Sequence, residues 1–547
     1  MGKRKLKTLF DYGKAKAAPF SVLPPSIIPV VFLSGSDYQM GFQYGQQAGQ
    51  YIEMIKEASW VEVLQEQSRE EVLNSLKRFR YYIDKYTPEA IEQIKGMVDG
   101  SKAAGYEISF GDVLVINCVP KKMPQNTLLT NKKEEPPLEE CSVFSAWGSS
   151  TKDGRLVFGD SKDSVFNHQV VIVAFPDKGN NYMTGVRAGE LSEHFAMNNR
   201  GVFIGTGKNP SKRDIDLGYG LPKPCFIQHM LRFARDATEA KDIFLPWEFP
   251  SPTNFIIADI QGNAYVVERT AAIKPVRKSG DHGEIDFIYS TNTAMTDEMK
   301  AGVNGKEYIE HAGWKIQGSA IPRSLEIWNL FHNYHGKMDV EFIKMMWRFN
   351  DHPHPYSLKK EEFNIERDEK ICHRENMRVA VGVPDDGDKG IVYICTGPAG
   401  RILHPPTPRH RDCFQIAGTH SFYKLTLAAN PEKVVGAAKN DAHDTLADAY
   451  HEFMMLKYND PGYCFLDALN SLATNEYYEG VHAYHRGVLA EGNEALLYFA
   501  QAATAFTRSQ AHARQLYHSL VPPATKPDDL GLKPYSLRGD PQSGVSR

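Results

Sequence analysis

The sequence predicts an α+β fold, with antiparallel sheets covered on their outer faces by helices and a helical extension at the C-terminal end. Three observations carry this. Short apolar or alternating runs cluster after residue 140 (CSVFSAW, RLVFGD, QVVIVAFP, GVFIGTG) and again after residue 250 (NFIIADI, AYVVERT, IKPVRK, FIYSTN). Helical stretches stand between these sets, not between single strands, so the pattern is not strict βαβα. From Ala437 to Met455 and Val481 to Leu520, Ala, Leu, Glu and Gln abound, with apolar positions at helical spacing.

In order along the chain, residues 1–20 carry Lys3, Arg4, Lys5, Lys7, Lys14 and Lys16 and read as a solvated basic tail. A helix opens at Ser36 or Asp37, with Met40, Tyr44, Ala48 and Tyr51 on one face. Gly41, Gly45 and Gly49 form a second stripe. Glycine costs helix propensity, so this stripe predicts another backbone packed very close. A second helix follows Thr87, with Pro88 in its first turn, Ile91, Ile94, Met97 and Val98 inward, and Gly105 as its stop. Residues 127–140 (TLLTNKKEEPPLEE) lack any period and read as a loop. Asp153-Gly154, Asn199-Arg200-Gly201 and Gln261-Gly262-Asn263 supply the turns between strands. Further helices are expected over 222–234, 322–334 and 339–349, then strands at RVAVGVP, GIVYICTG and 420–427. The organisation is thus a tail (1–20), a core (21–430), a helical extension (431–520) and a proline-bearing disordered tail (521–547). The extension reads as an added layer or a surface for a homo-oligomer.

Composition narrows the function classes. The 547 residues are 42% hydrophobic and 24% charged, ordinary for a globular enzyme. A net charge of −4 offers no global field for nucleic acid or an acidic membrane, so neither is expected as a partner. No run approaches the roughly 20 apolar residues of a membrane helix. Prolines 24, 25 and 29 interrupt the first apolar stretch, which argues against a secretory signal. Seven scattered cysteines without a CxxC pair suit a reducing compartment, hence a cytoplasmic protein. The chain has no GxSxG, no HExxH and no phosphate loop; Gly205-Thr206-Gly207-Lys208 lacks the required earlier glycine. His352, His354 and His373 have no ligand spacing, and neither metal nor cofactor is expected.

Cys141 stands apart by its context. A cysteine opening a strand is by itself a small buried hydrophobe. Here it follows the acidic loop and begins CSVFSAWGSSTKDGRLVFGDSKDS, which reads as a hairpin ending in Gly159-x-x-x-Asp163. The hairpin returns Asp163 toward the sulfur and amine of Cys141.

These features resemble the acyl-CoA:6-aminopenicillanate acyltransferase-like family, peptidase family C45 of the N-terminal-nucleophile hydrolases. The resemblance rests on SDYQMGFQYGQQ, the C-S-x-F-x-A-W-G start, the D-G turn, G-x-x-x-D, MNNRGV, the PTNFIIAD–QGNAYVVER hairpin and STN at 290–292. It covers about residues 30 to 400. It implies a four-layer αββα sandwich, self-cleavage between Glu140 and Cys141, and hydrolysis of a linear amide or acyl transfer to an amine. The nucleophile would be Cys141 and the first product chain 1–140. The resemblance further implies Asn254 as an oxyanion donor, with a backbone N–H of Thr206 or Gly207 beside it, and Arg323 as a partner of Asp163. Plain readings stand beside these: Asp163 as a turn cap, Asn254 as a turn residue, Arg323 as a surface residue in a first helical turn. Val143 stands where penicillin-acting members carry Thr, so penicillin-like substrates are not implied. An unprocessed scaffold of the same fold is the non-enzymatic alternative.

The chemistry such a site needs is compact. Scission frees an α-amine whose ordinary pKa is about 7.7 to 8.0, able to take the thiol proton near neutral pH. The thiolate attacks the amide of a small-molecule substrate, forming a thioester. Fixed donors at the oxyanion contribute about 3 to 4 kcal/mol each.

Overall fold

The computed structural model describes residues 28–118, 141–163, 169–301, 308–347, 371, 376–399, 422–427 and 476–520, with a few single positions within these spans left out. Glu140, the terminal tails, the 437–455 helix and histidines 352, 354 and 373 lie outside the described residues.

The first part of the chain forms β1 (Val30–Gly35), α1 (Asp37–Leu64), α2 (Arg69–Tyr86), α3 (Pro88–Ala103) and α4 (Phe110–Cys118). From Cys141 onward come β2 (Val143–Ala146), β3 (Val157–Asp163), β4 (Gln169–Pro176), β5 (Tyr182–Arg187), β6 (His194–Asn198) and β7 (Val202–Lys208). Next are α5 (Lys223–Phe233), α6 (Ala237–Phe244), β8 (Thr253–Asp259), β9 (Ala264–Arg269), β10 (Val276–Lys278), β11 (Phe287–Ser290) and α7 (Asp297–Lys300). The hairpin β12 (Tyr308–His311) and β13 (Trp314–Gln317) leads to α8 (Ala320–Asn333) and α9 (Val340–Met346). The described chain closes with β14 (Asn376–Val383), β15 (Gly390–Thr396), β16 (Tyr423–Leu427) and α10 (Gly492–Leu520).

Two large sheets result. One runs β1-β4-β5-β6-β7-β8-β9-β10, the other β11-β2-β3-β14-β15-β16. All neighbours are antiparallel except β1 beside β4. Three apolar cores divide four layers. Helices α1 to α6 pack on the outer face of the larger sheet, through Tyr44, Met97, Ile116, Phe226 and Phe244 among others. Between the sheets lie Val143, Phe158, Met183, Phe203 and Ile256, with Phe158 stacked on Phe203 at 3.8 Å between ring centroids. Helices α8 and α9 cover the smaller sheet through Phe331, Ile343 and Trp347 against Phe144. The expected αββα sandwich is therefore the architecture observed.

Two of the three stripe glycines, Gly41 and Gly45, have the reason the sequence suggested, whereas Gly49 lies against the Tyr106 ring. A β-carbon on Gly41 or Gly45 would collide with the backbone of α3 at Gln93 or Met97, and one on Gly96 or Gly100 with α1 at Tyr38 or Phe42. Two helices thus approach backbone to backbone. Residues 28–118 are no loose leader: β1 completes the larger sheet and α1 to α4 supply much of its core.

The hairpin before the site differs from a tight turn at Asp153-Gly154. Residues 147–156 connect its strands, with a 3₁₀ turn at Gly148–Ser150 and Gly154 at φ +77°. This longer connection sets the register Val143↔Asp160. Gly159 lies under the Phe144 ring, which leaves no room there for a β-carbon. At the far end, α10 packs on residues 476–487 through Ala483, Phe499 and Phe506.

Candidate functional site

Cys141 sits at the head of β2, 2% exposed, with its side chain on the same face as Val143, toward the larger sheet. A β-carbon built on Gly207 of β7 would lie 3.9 Å from Cys141 Cβ, so the β7 backbone passes directly over the thiol. The backbone N–H of Cys141 donates to Asn292 Oδ1 at 3.0 Å. Asn292 is held in turn by its own Nδ2, which donates to the Lys208 carbonyl at 3.0 Å.

Arg323 is wholly buried in the first turn of α8. Its Nη1 donates to the Cys141 carbonyl (2.8 Å) and to Ser142 Oγ (2.9 Å), and its Nη2 donates to Asn292 Oδ1 (3.0 Å). The surface reading of this residue is therefore excluded by its position. Asp163, at the end of β3, accepts from Asn376 Nδ2 (2.6 Å) and Ser161 Oγ (3.1 Å), and lies 3.9 Å from Arg323 Nη1. Ser161 Oγ also accepts from the Ser142 N–H at 3.0 Å. Arg323 thus links the Cys141 carbonyl to Asp163 at one strand end, with the Asp163 carboxylate on the face opposite the Cys141 side chain rather than beside the sulfur.

Asn254 reaches the same neighbourhood in another capacity. Paired with Gly207 in the sheet, its Nδ2 faces Ser290 Oγ (3.2 Å), Thr291 O (3.2 Å) and Thr293 O (3.0 Å). Its Oδ1 accepts from Asn209 Nδ2 at 2.7 Å. Two amide hydrogens already meet three protein oxygens, so in this state Asn254 holds the loop that carries Asn292.

A second polar network borders Cys141 between the sheets. Lys162 Nζ and Lys223 Nζ both donate to Glu193 Oε1, at 3.1 and 2.9 Å. His194 Nδ1 lies 3.3 Å from Asp160 Oδ1 and its Nε2 lies 3.7 Å from Glu193 Oε1. Arg378, from β14, crosses the gap to donate to Gln169 Oε1 and to the Gly185 carbonyl. Burial pushes the Glu193 carboxyl up, but the ammonium groups of Lys162 and Lys223 outweigh it and hold it well below its usual range. Burial and then the Glu193 charge push Glu190 up to about 7. Burial lowers His194 against the pull of Asp160 and Glu193, so its imidazole is neutral near pH 7.

Sequence reading missed Asn292, Ser142 and Asn376 as partners, and all of the second network. Asn292 stands in the STN triplet, without a role attached. Among the described residues no group of His, Cys, Asp and Glu is arranged to hold a metal, and no helix is long and apolar enough to cross a membrane.

Comparison with known proteins adds little beyond this geometry. No protein-family model matches the chain. An uncharacterized protein of Archaeoglobus fulgidus is 24% identical over 359 residues, covering 61% of this chain and 60% of that relative, so the chain spans less than two thirds of the relative's length. Among solved structures, a Caenorhabditis elegans N-acylethanolamine-hydrolyzing acid amidase ortholog is 16% identical, over 45% of this chain and 93% of that one, at a TM-score of 0.29. A mutant conjugated bile acid hydrolase from Clostridium perfringens is 16% identical over 47% and 89%, at 0.30. Penicillin V acylase from Agrobacterium tumefaciens is 10% identical over 47% and 83%, at 0.30.

Proposed function

We propose that the chain is a cysteine amidohydrolase of the N-terminal-nucleophile type, freed by scission between Glu140 and Cys141 and cleaving a linear amide C–N bond through a thioester. The observation that carries this is the cradle around Cys141: its N–H on Asn292 Oδ1, its carbonyl on Arg323, and its side chain under the β7 backbone. A strand residue needs no such anchoring of both backbone groups by side chains; a residue that must present an amine and a thiol together does.

In scission the thiolate attacks the Glu140 carbonyl carbon, the C–N bond breaks, and the acyl group passes to sulfur. Water then hydrolyses the thioester, leaving the Glu140 carboxylate, the free thiol and an α-amine on Cys141. In turnover that amine takes the thiol proton, the thiolate attacks the substrate carbonyl, and the amine returns the proton to the leaving nitrogen. Asn292 Oδ1 can accept one amine hydrogen and so aim the lone pair, while the Arg323 cation nearby opposes a second positive charge on the amine. The oxyanion donor in this reading is a backbone N–H of Thr206 or Gly207. Asn254 joins it only by releasing one of the oxygens it now holds. Water as acceptor gives hydrolysis and an amine gives acyl transfer; hydrolysis is the reading preferred, for want of a CoA-binding feature in the sequence.

The test is intact mass and N-terminal sequencing of the purified chain, followed by a panel of N-acyl amino acids, amides and amines. Two fragments are expected, the second beginning at Cys141, with Cys141→Ala abolishing both cleavage and turnover, the latter by at least about a thousandfold. Full turnover by an intact chain, or by Cys141→Ala, would refute the reading.

A further inference from the structure

The register of the smaller sheet places three functional side chains in one row. Val143 pairs with Asp160, and the Ser161 N–H donates to the Ser142 carbonyl at 2.9 Å, so the next pair outward is Cys141 with Lys162. Lys162 pairs on its other side with Arg378 of β14. Phe158 and Ala380 belong to the core between the sheets, and strand alternation puts Lys162 and Arg378 on that same face, with Cys141 and Val143. Directly opposed cross-strand residues have β-carbons about 4.5 to 5.5 Å apart. The thiol therefore has a buried ammonium stem as its immediate neighbour and a buried guanidinium beyond it.

Several charged groups surround this row. Among the described residues of the network, Lys162, Lys223 and Arg378 are three cations; Glu193 and Asp160 are two carboxylates, and His194 is neutral. Arg187 and Glu190 form a separate pair at 3.2 Å, and Glu190 carries less than a full charge near pH 7. The Arg378 guanidinium donates to neutral oxygens, those of Gln169 and Gly185. Arg378 is thus a buried cation whose donor contacts here are to neutral oxygens, and a negative charge nearby stabilises such a group. The anions whose fields act on Arg378 are Asp160, Glu193, Glu190 and the Cys141 sulfur. On the opposite side of the β2 backbone, Arg323 and Asp163 face the same residue and oppose each other's fields.

We propose that Lys162, backed by Arg378, is the fixed counter-charge of the Cys141 thiolate and sets the pH at which that thiol becomes nucleophilic. Lys162 is a positioning residue, acting through Cys141: the proton leaves sulfur for the α-amine, and the charge left on sulfur faces the Lys162 and Arg378 cations across the row. An opposite charge within about 4 to 6 Å moves an ionisation by about one to three units. The inference rests on Cys141 being the nucleophile.

The experiment titrates the thiolate by its ultraviolet absorbance in the full chain, subtracting Cys141→Ala in each background, after intact mass has recorded whether the chain is cleaved. In Lys162→Met the midpoint should rise by about one pH unit or more, and Lys162→Arg should restore most of the shift. An unchanged midpoint in Lys162→Met overturns the proposal, as does an arginine variant that behaves like methionine. Should Lys162→Met fail to fold, the partly exposed Lys223→Met tests the same charge. It leaves Glu193 wholly to Lys162, so a smaller rise is expected and no rise overturns the proposal. A cleaved chain with an unshifted midpoint sinks the counter-charge alone. An uncleaved chain with a shifted midpoint supports the counter-charge and sinks the N-terminal nucleophile.

Discussion

On the face of the β2–β3 hairpin that looks toward α8, Ser142, Ser161, Asp163 and Arg323 are joined to one another, to Asn292 and to Asn376 by hydrogen bonds of ordinary length. On the face between the sheets, Glu193 Oε2, Arg378 Nε and Ser145 Oγ are buried without a hydrogen-bond partner among the described residues. Arg323 Nε aside, the α8-side groups are densely bonded, and such a network fixes one geometry, because any displacement breaks several bonds at once. A sparsely bonded, charged one retains free energy that ionisation or a ligand can release. The hairpin therefore separates two tasks: the α8 side holds the Cys141 backbone still, and the inter-sheet side governs the charge of its side chain.

The strongest way to break this contrast is Arg323→Met. It leaves the Cys141 carbonyl, Ser142 Oγ and Asn292 Oδ1 without their shared donor and removes the guanidinium 3.9 Å from Asp163. A loss of about 3 to 5 kcal/mol is expected in urea unfolding, together with loss of scission. A loss below about 1 kcal/mol would mean that this side is not the rigid one. Next comes Gly159→Ala, which forces a methyl group into the Phe144 ring and displaces the hairpin that both faces share. It should cost about 1 to 3 kcal/mol, and Phe144→Leu in the same chain should return part of it.

The inter-sheet side is expected to respond to pH instead. The folded state raises Glu190 from 4.5 to about 7, so its stabilising contribution is full below 4.5 and is lost as pH rises through 7. His194 runs the other way: its pKa is depressed from 6.5, so its contribution is present above that value and lost as pH falls. Glu190→Gln isolates the first effect. The variant should gain about 2 kcal/mol on wild type at pH 8 relative to pH 5, read from urea midpoints at the two values. An identical pH dependence in both proteins would remove Glu190 from the account.

How much of this was legible in the sequence follows from distance along the chain. Cys141 and Asp163 belong to one hairpin, which a turn between two alternating runs makes readable, but register sets the Asp163 carboxylate on the α8 face and the thiol on the other. The glycine stripe was likewise local, since a residue that costs helix stability recurs every four positions only where a side chain would not fit. Lys162 lies one residue from Asp163, and no local signal marks it. Its importance depends on register, and the 147–156 connection shifts register from what a tight Asp153-Gly154 turn would set. Arg378, Glu193 and Lys223 come from β14, the segment before β6 and the start of α5. Only the pairing of distant strands puts them beside the thiol, and no single-sequence period encodes that. Asn254 is the instructive intermediate: its neighbourhood was readable from its strand, but its three oxygen partners depend on the 290–293 loop.

The smallest expected effect is the most direct comparison, because it makes the same chemical change on both faces of one hairpin. Ser161→Ala removes a hydroxyl that accepts from the Ser142 N–H and donates to Asp163. Two buried groups lose a partner, and a cost of about 1 to 2 kcal/mol should follow. Ser145→Ala removes a hydroxyl equally buried but without a partner among the described residues, set among apolar side chains between the sheets. Deleting an unsatisfied polar group relieves its desolvation cost, so this variant should be neutral or more stable by up to about 1 kcal/mol. Urea midpoints of the two variants should therefore move in opposite directions or differ by at least the cost of one hydrogen bond. If Ser145→Ala destabilised the chain as much as Ser161→Ala, an ordered water would have to satisfy Ser145, and the inter-sheet side would be hydrogen-bonded as fully as the other.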